Sequence, residues 1–172
     1  EFAVIDANLS ELETEIKPDQ ELWLHVDERG AFVATEKKIF KIKDDLKKVG
    51  ACLEEFNPKW AGYDLKKAWK ELDLKTPKAG WDHMLAAYVL KPGAAESLED
   101  VVQRYTGEQW PDLAKPEQIF TLHMNLREKI QKQLEQKEGL HIYEHLDLPL
   151  APVLYAMERK GIRLDVPELD AQ

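Results

Sequence analysis

Three extended segments stand almost back to back near the start of this chain, and they constrain its fold more than any other feature. Glu21 to Val26 is the first, and the acidic turn Asp27-Glu28-Arg29-Gly30 leads into Ala31 to Thr35; after Glu36-Lys37-Lys38, Ile39 to Ile42 is the third. Short strands separated only by turns predict an antiparallel meander. The apolar repeat then lengthens. Asp44 can cap a helix with Leu46, Val49, Cys52, Leu53 and Phe56 inward, ended by Asn57-Pro58. Lys59 to Gly62 reads as a further strand, followed by a helix with Leu65, Ala68, Trp69 and Leu72 on one side. Strand-helix pairs in succession require a parallel crossover, so the sheet must be mixed.

The flanking segments add helices. Phe2 to Ile5 can be a short lead-in strand, and Asn8 with Glu11 can cap a helix bearing Leu9, Leu12 and Ile16. Thr76-Pro77 turns the chain, and Trp81 to Leu90 reads as an apolar helix stopped by Lys91-Pro92-Gly93. Ser97 and Asp100 cap a helix through Val101, Val102 and Tyr105. Pro116 suits a first helical position, ahead of a stripe of Ile119, Leu122, His123, Leu126, Ile130 and Leu134 that Gly139 ends. The expected fold class is α/β, a mixed sheet flanked by helices.

Composition narrows the function. The chain has 172 residues, 44% apolar and with net charge −9, enough for one globular domain and the beginning of a second. The longest uncharged apolar run, Leu148 to Met157, is broken by Pro149 and Pro152 and cannot cross a bilayer. No membrane association is expected. A lone cysteine, Cys52, cannot form an internal disulfide and suits a reducing, cytoplasmic setting; its helical position reads as core. The first residue is Glu rather than Met, so the chain is expected to be a piece of something longer, and the fragment a monomer. Charge is uneven: residues 1–36 carry −8, residues 37–70 carry +5, and the remainder −6. Only the middle segment could grip phosphates.

At this point several strings, in this order, resemble one family. Trp60-Ala61-Gly62-Tyr63-Asp64-Leu65-Lys66-Lys67-Ala68 is similar to the strand-to-helix motif of the 3′-to-5′ proofreading exonuclease domain of bacterial family A DNA polymerases. Trp81-Asp82-His83-Met84-Leu85 with Tyr88 resembles that family's next helix, and Ser97 to Tyr105 the one after it. Tyr143-Glu144-His145-Leu146-Asp147-Leu148-Pro149-Leu150, continuing to Gly161-Ile162, resembles the passage from exonuclease to polymerase domain. The resemblance implies a ribonuclease H-like fold over residues 1–139 and the junction and first polymerase helix over residues 140–172. It also implies that the partners are a polymerase domain in the same chain and, through the intact protein, DNA.

The family's nuclease uses two divalent metals about 4 Å apart, held by four carboxylates and a tyrosine. By resemblance, the first pair of carboxylates falls at the end of Glu21 to Asp27, in one register at His25 and Asp27, in the other at Val26 and Glu28. Ala68 stands at the second motif's metal-binding position, and an alanine cannot ligate. The third motif's Tyr and Asp positions fall on Ala114 and Gln118. With at most one carboxylate left, the expectation is an inactive exonuclease-like domain with no catalytic residue, metal or cofactor of its own, serving as support or spacer for the polymerase in replication and repair.

Three other readings compete. A still active exonuclease would require the first and third motifs to lie elsewhere. Tyr63, Lys66, Lys67 and Lys70, with Trp69 between, interleave aromatic and basic groups as a single-strand DNA-binding module would, although Trp69 shares the helix's apolar side with Leu65 and Leu72. His141-Ile142-Tyr143-Glu144-His145 spells the His-x-x-Glu-His of inverted zinc peptidases, but it lies inside the junction string. His25, His83 and His123 read as isolated structural histidines.

Overall fold

A computed structural model describes residues 2–7, 9–42, 45–93, 96–111 and 114–162. In chain order the elements are β1 (Ala3–Ala7), α1 (Leu9–Glu15), β2 (Glu21–Asp27), β3 (Gly30–Ala34), β4 (Lys38–Ile42), α2 (Leu46–Glu55), β5 (Lys59–Gly62), α3 (Leu65–Glu71), β6 (Lys78–Asp82), α4 (His83–Leu90), α5 (Leu98–Thr106), α6 (Pro116–Gln136), α7 (Leu140–Ile142), a π turn (Tyr143–Asp147) and α8 (Leu148–Lys160). The strands form one sheet in the order β1-β4-β3-β2-β5-β6. The meander β2-β3-β4 is antiparallel, whereas β1 joins β4, β5 joins β2 and β6 joins β5 in parallel. This mixed sheet with flanking helices is the expected α/β architecture of ribonuclease H-like type. Gly30 closes the β2-β3 turn with φ 119°, which a side chain would strain.

Residues alternate between two cores, one on each side of the sheet. Leu22 and Leu24 of β2, with Val33, Phe40, Val49, Leu53, Leu65 and Trp69, fill one. Trp23 of β2 goes to the other, with Phe32, Ile39, Trp81, Val101, Phe120, Leu126 and Ile130. The period of two sends neighbours of one strand to opposite faces. β2 and β5 approach so closely that a Cβ on Gly62 would lie 2.6 Å from the Leu24 carbonyl oxygen. No side chain fits there.

Three local expectations are corrected. Trp81 and Asp82 end a sixth strand, and the helix starts at His83; Gly80 and the short run hid the strand, which is held by pairing to β5. Asp45 caps α2, accepting from the N–H groups of Lys47 and Lys48 at 3.0 and 3.2 Å; Asp44, like Asn8, lies outside the described residues. Cys52 is half-buried rather than core and points its thiol at Glu13 Oε1, 3.3 Å away. Burial and that carboxylate push the thiol up to about 12.

Residues 140–162 lie against both cores. Tyr143 is fully buried beside Trp81, with ring centroids 4.8 Å apart. Tyr155 packs on Trp69 and donates to the carbonyls of Trp69 and Leu74 at 3.0 and 2.9 Å. The opposite face of this segment is apolar and open: Leu146, Leu150, Val153, Leu154 and Met157 are all exposed. Among the described residues no helix is long and apolar enough to cross a membrane.

Candidate functional site

A cleft of about 410 Å³ opens where the end of β2 meets the start of α3 and the turn before α5. Its walls include His25, Val26, Asp27, Tyr63, Lys67, Ala68, Glu99 and Trp110. The alternation of β2 puts His25 and Asp27 on the face that carries Trp23, while Val26 packs with the Leu22 and Leu24 side. Ala68 comes in from α3. Thus the first-motif strand end and the second-motif position are brought to one place.

The other motif positions lie apart. Glu28 is exposed in the β2-β3 turn. Ala114 is buried and reaches the site only through its main chain, where its carbonyl accepts from Arg29 Nη1 at 2.7 Å. Gln118 is exposed and spends its side-chain oxygen on the N–H of Lys115, 2.9 Å away, at the start of α6. It lines a separate groove with Glu108, Pro111 and Thr121.

Asp27 is closely partnered. Arg29 folds back on it, with Nε 3.0 Å from Oδ2 and Nη2 2.5 Å from the same oxygen. Burial raises the affinity of this carboxyl for a proton, but the Arg29 hydrogen bonds and nearby His25 outweigh it and hold it below the usual carboxylate range. The Arg29 guanidinium thus neutralises this carboxylate.

Behind Asp27 the structure assembles a cluster that sequence reasoning missed. His25 Nε2 lies 3.4 Å from Asp27 Oδ2, and His25 Nδ1 lies 3.3 Å from His123 Nε2 of α6. His83 stacks on His123 with centroids 5.2 Å apart and rings 18° from parallel, and accepts from Trp81 Nε1 at 2.9 Å. Trp110 stacks on His25 from the cleft side. Burial lowers the pKa of all three imidazoles; His83 falls to about 3, helped by Arg127, and His123 lies well below its ordinary value. His83 and His123 are thereby held neutral at pH 7. Nothing local in the sequence joins them, although His25 shares the β2 alternation with Trp23 and His123 sits in the apolar stripe of α6.

The basic and aromatic candidates do not form a stacking platform. Trp69 is fully buried. Tyr63 turns its hydroxyl to the main-chain carbonyl of Glu96, and Lys66 pairs with Glu158 of α8 at 2.6 Å. Lys67 and Lys70 are exposed, but Lys67 faces a cleft that also contains Asp64, Glu71 and Glu99. His141 and His145 lie side by side, with ring centroids 4.5 Å apart. Among the described residues no group of three or more His, Cys, Asp or Glu side chains could hold a metal ion.

No family model matches this chain. It is 28% identical over 176 residues to DNA polymerase I of Bacillus subtilis, covering 84% of this chain and 18% of that protein. It is 41% identical over 95 residues to a thermostable DNA polymerase I of Thermus thermophilus, covering 54% of this chain and 11% of that one. A solved structure described as the POL domain of Pol1 from M. smegmatis, in complex with DNA primer-template and dNTP, superposes with TM-score 0.67 over 99% of this chain and 34% of that one. At 16% identity, that likeness concerns the fold. The chain spans less than a fifth of the length of these two curated relatives. Sequence and fold together make this chain a domain related to bacterial DNA polymerase I.

Proposed function

We propose that this is the 3′-to-5′ exonuclease-like domain of a DNA polymerase I, without nuclease chemistry, and that it supports the adjoining polymerase domain. One observation carries the reading: Asp27 is the only carboxylate among the motif positions in the cleft, and Arg29 already neutralises it. Ala68 lines the same cleft from α3. A two-metal hydrolytic site needs several anionic oxygens converging on the ions. The rest of the cleft edge, Asp64, Glu71 and Glu99 against Lys67, repels a phosphate backbone more than it attracts one.

The support role draws on residues 140–162. Their inner face is anchored by Tyr143 and Tyr155, and their outer face exposes Leu150, Val153, Leu154 and Met157. An apolar strip of this kind suits a polymerase domain continuing from the same helix. The decisive experiment uses the longer polymerase, intact and in a version beginning at Leu140. Truncation removes everything that covers Tyr143 and Tyr155, so it is expected to lower the unfolding temperature while extension per folded molecule stays the same. Equal stability, extension rate and primer-template affinity would remove the support role. Stepwise 3′ shortening by the intact domain, abolished by a chelator, would remove the inactivity.

A further inference from the structure

We propose that His141 and His145 form a surface chelate for a late first-row divalent metal ion, such as Zn2+ or Ni2+. The two imidazoles are exposed, one turn apart, with ring centroids 4.5 Å apart and planes at 49°. Two imidazoles whose rings lie this close can each turn one nitrogen onto a single ion at the usual Zn–N distance of about 2.0–2.1 Å. Imidazole favours zinc, nickel and copper, whereas magnesium and calcium prefer oxygen. No third ligand-bearing side chain joins the pair among the described residues, so water completes the coordination sphere. The same fact separates this site from a peptidase, which needs a third protein ligand.

The position gives such a site a structural consequence. His141 lies in α7 and His145 in the π turn, where Leu148 N–H bonds to the carbonyl of Tyr143. Pro149 follows directly. It has no N–H for the carbonyl of His145, and its ring crowds that oxygen, a local cause for the widened turn. An ion bridging His141 and His145 therefore clamps the turn that sets the direction of α8. Tyr143 and Tyr155 bury on either side of it, one in each core.

The test titrates the 172-residue chain with ZnCl2 and with NiCl2 near pH 7.5, using calorimetry, imidazole NMR and thermal unfolding. The expected result is one ion per chain, perturbed His141 and His145 resonances, unperturbed His25, His83 and His123, a raised unfolding temperature, and no response to Mg2+. His141→Ala and His145→Ala should each weaken binding roughly tenfold or more, because the second imidazole of a chelate acts at high effective concentration. Both side chains are exposed, so both variants should keep the fold. Absence of binding, binding unchanged in either variant, or binding lost instead in Cys52→Ser would overturn the proposal.

Discussion

Asp82 accepts the main-chain N–H of Leu65 on its Oδ2 at 2.9 Å, and its other oxygen accepts from Met84 at 2.9 Å and Asp64 at 3.2 Å. One buried carboxylate thus closes the first turns of both α3 and α4 and fixes the helix that carries Ala68 to the end of β6. Asp64 enters α3 in the left-handed region, with φ 48°, a conformation that Asp tolerates better than most side chains. The N–H of Asp82 in turn donates to the Tyr143 hydroxyl at 2.8 Å.

Asp82→Ala should destabilise the chain by about 2–4 kcal/mol, because it removes a cap from two helices and leaves buried amides without acceptors. Asp82→Asn keeps one acceptor oxygen and should cost less. Urea unfolding monitored by circular dichroism measures both. Equal midpoints for the alanine variant and the parent would contradict the capping role.

Stability should fall as pH drops below about 6.5. His83 and His123 are held neutral in the folded chain, His83 with a pKa of about 3. The unfolded chain takes up protons on acidification that the folded chain refuses, so their contribution is complete above the unfolded pKa and lost as pH falls. Asp82, raised by burial to about 6 despite the Leu65 and Met84 amides, acts in the opposite sense, because the folded form binds its proton first. Denaturation midpoints between pH 7 and 4 should therefore fall less steeply in His83→Phe and more steeply in Asp82→Asn. A parallel set of curves would show that neither group titrates as its burial requires.

Ala68→Asp alone should create no nuclease. The new carboxylate would share the cleft with Asp27, whose charge is committed to Arg29, and Gln118 still lines another groove. Gel analysis of labelled single-stranded DNA with magnesium or manganese checks this, and turnover in that single variant would place the remaining ligands elsewhere. Calorimetry should likewise find no tight pair of either ion in the cleft of the parent protein.

Arg29→Met should cost about 1 kcal/mol, since the guanidinium joins Asp27 to the Ala114 carbonyl at the rim of the cleft but stays partly in water. The Asp27 carboxyl, freed of its partner, should titrate at higher pH, an effect that carboxyl NMR follows directly. An unmoved Asp27 resonance would mean that the pair does not persist in solution.

Tyr155→Phe should cost about 1–2 kcal/mol, leaving the carbonyls of Trp69 and Leu74 without their shared donor while the ring still fills its place. Thermal unfolding of the variant checks the magnitude. The loss should exceed that of Leu150→Ala, whose side chain is exposed on the outer face of α8.

Local patterns in the chain were enough to establish the order of elements apart from β6, and the mixed character of the sheet. The spacing of Ile119, Leu122, Leu126 and Ile130 is a local periodicity, legible because burial selects one face of a helix wherever it lies. The Gly62 to Ala68 string likewise carried its own position, because the close pass of β5 over the Leu24 carbonyl tolerates only glycine. What those faces meet was settled by packing. β6 exists because β5 offers it a parallel edge, which no local pattern around Gly80 announces. His25, His83 and His123 come from a strand and two helices far apart in the chain, and only the packing of α4 and α6 on one side of the sheet brings their rings together. The placement of Ala114 and Gln118 was equally out of reach: helix phase is set by the Pro116 start, but which side chain reaches β2 depends on how α6 crosses the sheet, and there it is His123 that meets His25.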